Sequence, residues 1–316
     1  MSELHRKYRP KQLTDLVGQP EAVKIMSSWQ QKGKIPHTVL FSGPAGCGKT
    51  SSARLLAKLV GAHFERGKSL DVHELDCANV GNVDTVRSIR NKASLNCVDS
   101  KSKAKVYILD EVHAMRKEPQ TAMLKLLEEP PDHVYLFLCT TDPGKMLTTV
   151  RSRCAEVKMQ LLSDKIALDL LAKVAKAEGA KIKPTVFQKI VEIGAGSARK
   201  ILVLLQQIID LKNEEEQLDC LSKADAEKHG IDIARILFKR GARFADVKDL
   251  LKQVEDEPET VRRIILSYAT AILLSSGQKY AFDVIDCFRT PYFDSGSGKP
   301  LLVAGCYEML ALAKSH

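Results

Sequence analysis

The chain has 316 residues, 44% of them hydrophobic and 28% charged, and its formal net charge is +9. Those values fit a folded, core-forming protein of two or three compact units and exclude a disordered or fibrous chain, while the positive excess favours a polyanionic partner. Met1–Pro10 is polar and basic, unlike a secretory leader, and the longest apolar-rich stretch, Ile264–Leu274, is too short to cross a bilayer, so a cytoplasmic protein without a membrane partner is expected.

In chain order, Glu21–Lys32 is expected to be helical, opened by Pro20 and stopped by Gly33. Short β-branched and aromatic runs then alternate with helical patterns. The runs are Thr38–Phe41, Leu70–Leu75, Val106–Leu109, Val134–Cys139 and Ala155–Met159, and the helical patterns fall at about 49–59, 83–95 and 117–129. This alternation predicts an α/β domain, a parallel sheet covered on both faces. After Leu162 the strands stop. Ser163 can cap a helix that Gly179 ends, Pro184–Thr185 opens a second that Gly194 ends, and Ser197 caps a third through about Leu211. The charged segment Lys212–Glu216 reads as a hinge, followed by an all-helical region that includes Phe244–Val254 and Glu259–Ser275. The expected boundaries are 1–160 for the α/β domain, 161–216 for a three-helix lid and 217–316 for a helical domain.

Gly43, Pro44, Ala45, Gly46, Cys47, Gly48, Lys49 and Thr50 form a complete phosphate-binding loop between a strand and the helical stretch that Ser51 begins. Its backbone N–H groups suit the phosphates of a nucleoside triphosphate, Lys49 the β- and γ-phosphates, and the Thr50 hydroxyl a Mg²⁺ ion. Asp110 and Glu111 end the Val106–Leu109 strand. Asp110 suits the Mg²⁺ shell and Glu111 the attacking water, because alternating strand residues cannot share one task. Thr140 and Thr141 would place a hydroxyl beside the γ-phosphate, although threonines at a strand end are also simply good strand formers. Arg199 either reaches back from the lid to the nucleotide or is an exposed helical arginine, and Arg153 either serves a neighbouring subunit's site or makes a surface salt bridge. Gly296-Ser-Gly-Lys299 imitates half a phosphate loop, but Pro300 stands where a metal-binding hydroxyl is needed, and a mobile turn is expected there. The eight cysteines include no close pair that could begin a zinc ribbon, and most are expected to be small apolar core residues.

His5-Arg-Lys-Tyr8-Arg9-Pro10, Asp15-Leu-Val17-Gly18-Gln19, the phosphate loop, Asp110-Glu-Val-His113, Leu126-Leu-Glu-Glu-Pro-Pro131, Cys139-Thr-Thr-Asp-Pro143, Ser152-Arg-Cys154 and Gly196-Ser-Ala-Arg199 occur in that order. This set resembles the clamp-loader ATPase subunits of the AAA+ class, of the bacterial DNA polymerase III gamma/tau type, over residues 5–205. The resemblance implies an ATP-driven loader subunit that opens a ring-shaped sliding clamp and places it on primer–template DNA, working in a pentameric ring with other loader subunits. It implies that Tyr8, Arg9, Pro10, Val17 and Gly18 line the adenine pocket, that Thr141 and Arg199 are the two sensors, and that Arg153 acts in trans. Arg87 and Arg90 match positions that grip the DNA backbone, and the C-terminal helices would form the subunit-joining collar. Leu95–Val98 is a candidate clamp contact, with burial in the core as the alternative. Val60–Ser69 holds no cysteine where the bacterial subunit carries a zinc module, so no zinc is expected. Lys200 and the end of the chain at His316 fit a short loader of the phage, archaeal or eukaryotic small-subunit kind, without a tau-like extension. Two rivals share parts of the pattern: another AAA+ DNA motor, for branch migration or helicase loading, and a non-hydrolysing structural subunit.

Overall fold

In the computed structural model the described residues are 3–65, 68–254, 258–292 and 298–312, without the side chains of 225–228. Five strands, β1 (Thr38–Ser42), β2 (Val72–Asp76), β3 (Lys105–Asp110), β4 (Val134–Thr140) and β5 (Ala155–Lys158), pair in parallel in the order β2-β3-β4-β1-β5. The helices that accompany them are α1 (Leu4–Lys7), α2 (Pro20–Lys32), α3 (Lys49–Leu59), α4 (Cys77–Val80), α5 (Val83–Ala93), α6 (Lys117–Glu128) and α7 (Thr148–Arg151). Alternate strand residues fill opposite layers. Val39, Phe41, Val106, Ile108, Phe137 and Cys139 pack with Met26 of α2 and Ala53 and Leu56 of α3. Leu40, Tyr107, Leu109, Leu136 and Leu138 pack with Val86 and Ile89 of α5 and Met123 and Leu127 of α6. Burial on both faces explains why these strands read as continuous apolar runs.

β2 starts at Val72; the preceding Asp71 is fully buried, its carbonyl accepts the Val106 N–H (2.7 Å) and its carboxylate accepts the N–H groups of Val98 (2.7 Å) and Asp99 (2.9 Å). The lid follows as α8 (Asp164–Ala177), α9 (Pro184–Gly194) and α10 (Ala198–Ile208), in one unit with the sheet up to Ile209. Ser197 caps α10 through the N–H of Lys200, and Ala167, Leu171, Val186, Ile190, Ile201 and Leu205 are buried.

The second unit begins at Asp210 and contains α11 (Glu214–Leu237), α12 (Phe244–Gln253), α13 (Pro258–Ser276), α14 (Lys279–Cys287) and α15 (Gly298–Leu312). The segment expected as a hinge is the start of α11. Asn213 accepts the N–H of Glu215 (3.2 Å), and Glu214, Glu215 and Glu216 fill the first turn, where the helix dipole favours negative charge. Of the glycine-rich segment before Pro300, Gly296 and Ser297 lie outside the described residues, and Gly298–Pro300 opens α15. Among the described residues no helix is long and apolar enough to cross a membrane. All eight cysteines are free thiols: Cys47, Cys77, Cys139 and Cys306 are buried and the other four half-buried. Burial pushes the thiols of Cys77, Cys154 and Cys306 up to about 12, as expected for core residues rather than nucleophiles.

One polar cluster pins the second unit. Arg262, 5% exposed, donates to both Glu259 oxygens (2.7 Å each) and to the carbonyl of Phe288 (2.7 Å), and it lies over the Tyr292 ring. The Arg262 guanidinium first, then the Tyr292 N–H and Arg263, lower the Glu259 carboxyl to about 2, against the opposing effect of burial. A depressed carboxyl contributes stability above its unfolded value of 4.5, and that contribution is lost as pH falls toward 2. Glu259→Gln leaves a buried guanidinium without its counter-charge, so at pH 7 it is expected to destabilise the second unit by about 3 kcal/mol. In calorimetry the gap to wild type should narrow as the pH is lowered through that window.

Candidate nucleotide-binding site

The phosphate loop leaves the C-terminal end of β1, which is hydrogen-bonded to β4 on one side and β5 on the other. Acids and hydroxyls at the ends of β3 and β4 therefore fall beside it, as parallel sheets dictate. Gly46 has φ +76°, and a Cβ on it would lie 2.1 Å from Ser197 Oγ, so the loop carries glycine there because the lid packs against it. The Arg199 N–H donates to the Gly46 carbonyl (3.4 Å), which puts the start of α10 against the loop. The buried Lys49 ammonium donates to the carbonyls of Gly43 (2.8 Å) and Pro44 (2.9 Å).

Thr50 Oγ1 donates to Asp110 Oδ2 at 2.6 Å, which joins two hard oxygen ligands proposed from residues sixty positions apart. Glu111 adopts a left-handed backbone (φ 52°, ψ 43°), unusual for a residue with a side chain. Its carboxylate accepts from the Thr141 hydroxyl (3.1 Å), and His113 Nδ1 lies 3.2 Å from Glu111 Oε2. The same Nδ1 is 3.2 Å from Thr140 Oγ1, which accepts the Asp142 N–H (3.1 Å). Sequence reasoning placed His113 in a motif but gave it no role.

A cleft of about 540 Å³ extends from the loop. It brings together Tyr8, Arg9, Pro10 and Val17, the loop from Ala45 to Ser51, Asp110, Glu111 and Arg199, together with Lys173, Val174 and Leu202 of the lid. Lys7, Arg9, Lys11, Lys49, Lys173 and Arg199 outnumber Asp15, Asp110 and Glu111 in its lining, a balance suited to a polyphosphate. Among the described residues no hydrogen bond or ion pair holds the Arg199 guanidinium. Gly18, Gly43, Pro44 and Thr141 flank the cleft without lining it. Gly18 (φ +71°) leaves room for Leu162, whose Cδ2 would be 2.4 Å from an added Cβ.

Two contacts that close this cleft were not legible beforehand. Glu178, at the end of α8, accepts from the Tyr8 hydroxyl and pairs with Lys7 (2.7 Å), and both partners hold its carboxyl below the usual range. Gln19, 3% exposed, donates to the carbonyls of Gln160 (2.6 Å) and Cys47 (3.4 Å) and accepts the Gln160 N–H (2.9 Å). One amide thus joins α2, the phosphate loop and the strand leading to the lid.

Arg153 is not part of the cleft. It lines a separate cavity with His37, Thr38, Leu127, Glu128, Pro130 and Ser152, donates to the Thr149 carbonyl (2.9 Å) and lies 3.3 Å from Glu128. Arg87 and Arg90 are exposed on α5, whose Val86, Ile89 and Ala93 face the core, and Arg87 pairs loosely with Asp84 (3.3 Å). The C-terminal end of α5 is fixed by Lys105, 3% exposed, whose ammonium donates to the carbonyls of Lys92 (3.1 Å), Leu95 (2.7 Å) and Asn96 (2.8 Å). Of the two alternatives for Leu95–Val98, burial in the core does not hold: Leu95 is 62% and Val98 70% exposed on a loop that Lys105 and Asp71 hold from beneath.

The sheet order, the loop after β1, the acid pair ending β3 and the three-helix lid define a P-loop domain of the AAA+ class. The Thermotoga maritima RuvB Holliday junction branch migration motor shares this fold with a TM-score of 0.57 at 19% identity, over 78% of this chain and 85% of that one. Residues 18–163 match the family model described as DNA polymerase III, delta subunit. The DNA polymerase III gamma subunit of Buchnera aphidicola subsp. Schizaphis graminum is 34% identical over 263 residues, 76% of this chain and 71% of that protein. The gamma/tau subunit of Mycobacterium tuberculosis is 37% identical over 224 residues, and the tau subunit of Escherichia coli 33% over 222. The chain belongs to the DNA polymerase III gamma/tau family of clamp-loader AAA+ subunits. It spans 38% of the length of the mycobacterial relatives.

Gln19 offers a test of the geometry that is independent of the family. Gln19→Leu leaves buried groups of Cys47 and Gln160 unpaired, so a loss of about 2 kcal/mol is expected in thermal or urea unfolding, together with weaker nucleotide binding.

Proposed function

We propose that the chain is an ATP-hydrolysing subunit of a sliding-clamp loader, acting in the cytoplasm at the replication fork within a ring of related subunits, five by family resemblance. The observation that carries this reading is the division of the machinery between two surfaces. Lys49, Thr50, Asp110, Glu111 and Arg199 line one cleft, and Arg153 lines a cavity that shares no residue with it. A finger arginine that faces away from its own nucleotide completes a site only across a subunit interface.

In this mechanism the adenine lies among Tyr8, Arg9, Pro10 and Val17, and Lys49 exchanges its loop carbonyls for the β- and γ-phosphates. The Thr50 hydroxyl and the Asp110 carboxylate, already in contact, are hard oxygen donors that fit Mg²⁺. When bound, that ion neutralises phosphate charge. Glu111 takes a proton from the water whose oxygen bonds to the γ-phosphorus as the bond to the ADP oxygen breaks. Arg153 of the adjoining subunit stabilises the charge on the transferring oxygens. Arg199 ties the lid to nucleotide occupancy, so ATP binding and subunit assembly are linked reciprocally. Arg87 and Arg90 contact phosphates of primer–template DNA without reading its sequence. Leu95 and Val98 are the clamp contact, two exposed apolar side chains on a buttressed loop. The complete loop and acid pair argue against a structural subunit that does not hydrolyse.

Lys49→Ala is expected to abolish nucleotide binding, and Glu111→Gln to bind ATP while stalling turnover. Arg153→Ala should bind ATP normally yet lose about 10³-fold in clamp- and DNA-stimulated ATPase. Undiminished turnover in Arg153→Ala would sink the shared-site reading. In a clamp pull-down, Leu95→Ser with Val98→Ser should lose the clamp and keep ATP affinity. Retention of the clamp would remove that surface from the mechanism.

A further inference from the structure

Glu111 can act on water only if its carboxylate is held in one orientation, and the backbone does not hold it. The left-handed conformation at Glu111 turns the chain out of β3 into the short 3-10 turn Val112–Ala114, which brings the ring of His113 back to the acid two residues earlier. The carboxylate then has one hydrogen-bonded partner, the Thr141 hydroxyl at 3.1 Å, and His113 Nδ1 stands 3.2 Å from the same Oε2.

Two tautomers fit these neighbours: with Nδ1 bare the Thr140 hydroxyl donates to it, and with Nδ1 protonated the ring donates toward Thr140 and Glu111. An ionised carboxylate only accepts, so the Nδ1 contact with Glu111 is attractive only when Nδ1 carries the proton. Thr140 Oγ1, the second neighbour of Nδ1, already accepts the Asp142 N–H and can receive part of the same Nδ1–H bond. In the Nδ1–H tautomer the ring ties the acid to the end of β4 through one N–H, and the side chain is only 19% exposed, which limits competition from water. Thr141 and His113 are not equivalent. The threonine hydroxyl can rotate toward an arriving phosphate, whereas the imidazole is a planar donor fixed by its turn.

We propose that His113 is a positioning residue for Glu111: its Nδ1–H fixes the rotamer of the acid and keeps the carboxylate in place when the Thr141 hydroxyl is drawn away. The inference rests on the reading of Glu111 as the acid that activates water. It predicts a specific pattern of substitutions. Asn carries an N–H donor at the same distance along the side chain as Nδ1, Gln carries it one bond further out, and Phe keeps the ring without a donor.

The test combines steady-state ATPase with clamp and primed DNA, binding of a fluorescent ATP analogue, and melting of each variant. His113→Phe is expected to lower kcat roughly ten- to a hundredfold, the size seen when a functional side chain loses its orienting partner, with ATP affinity within about twofold of wild type. His113→Asn should recover most of the rate and His113→Gln should not. In a Glu111→Gln background His113→Phe should cause no further loss, because the residue acts through the acid. Wild-type kcat in His113→Phe, an added loss in the Glu111→Gln background, or equal failure of Asn and Gln overturns the inference while leaving clamp loading intact. A second measurement does not need turnover: nitrogen-15 NMR of labelled histidines should show His113 as the Nδ1–H tautomer, with a shift that moves in Glu111→Gln. An Nε2–H tautomer overturns the inference. Absence of any ATP turnover in wild type counts against the proposed function, and the NMR result still decides the role of His113.

Discussion

A strand buried on both faces and hydrogen-bonded along both edges has only its ends to offer. β1 is in that position, between β4 and β5, with Val39, Leu40 and Phe41 fully buried. The candidate nucleotide site follows from that confinement. Because the pairing is parallel, the C-terminal ends of β1, β3 and β4 lie together, and the chain must leave β1 through a turn tight enough to reverse into α3. The glycine-rich turn that meets this demand also presents N–H groups at a helix start, where an anion is welcome. The Thr50–Asp110 bond reports that the registers of β1 and β3 are matched to within one side chain's reach.

The lid meets this end by close fit. Gly46 and Gly18 have no side chain because Ser197 and Leu162 occupy the space one would need, and Gln19 joins the loop to the lid linker with a single amide. Moving the loop away from the lid linker would break the three hydrogen bonds of the Gln19 amide. Loop, lid and N-terminal segment all contribute to the lining of the cleft, so a polyphosphate placed there would touch all three.

Local patterns made much of this readable in the sequence. The runs located all five strands to within two residues at each end, and the signal was unbroken for β1, β3 and β4, which are buried on both faces, while β2 and β5 keep exposed polar residues. Ser197, Pro184 and Gly33 marked helix ends because capping is decided within one turn. The phosphate loop and the acid pair were visible because each is contiguous. What stayed hidden depends on long separations or on buried charge. Tyr8 and Glu178 are 170 residues apart, and Gln19 and Gln160 are 141 apart. Asp71 and Lys105 look like ordinary surface charges, and only the fold shows that one organises the Leu95–Val98 loop while the other gathers three carbonyls. Asn213 and its following glutamates gave a composition typical of a linker, yet the same residues are a strong helix start.

Lys105 deserves to be seen as a mechanical part. Its single ammonium holds the last turn of α5, which carries Arg87 and Arg90, and also the loop that displays Leu95 and Val98. The surface proposed to meet a polyanion and the surface proposed to meet a protein ring are riveted at one point, and the rivet is anchored in the sheet beside β4. Three carbonyls from the end of α5 and the following loop thus share one ammonium, and neither surface can lose that anchor without the other losing it too.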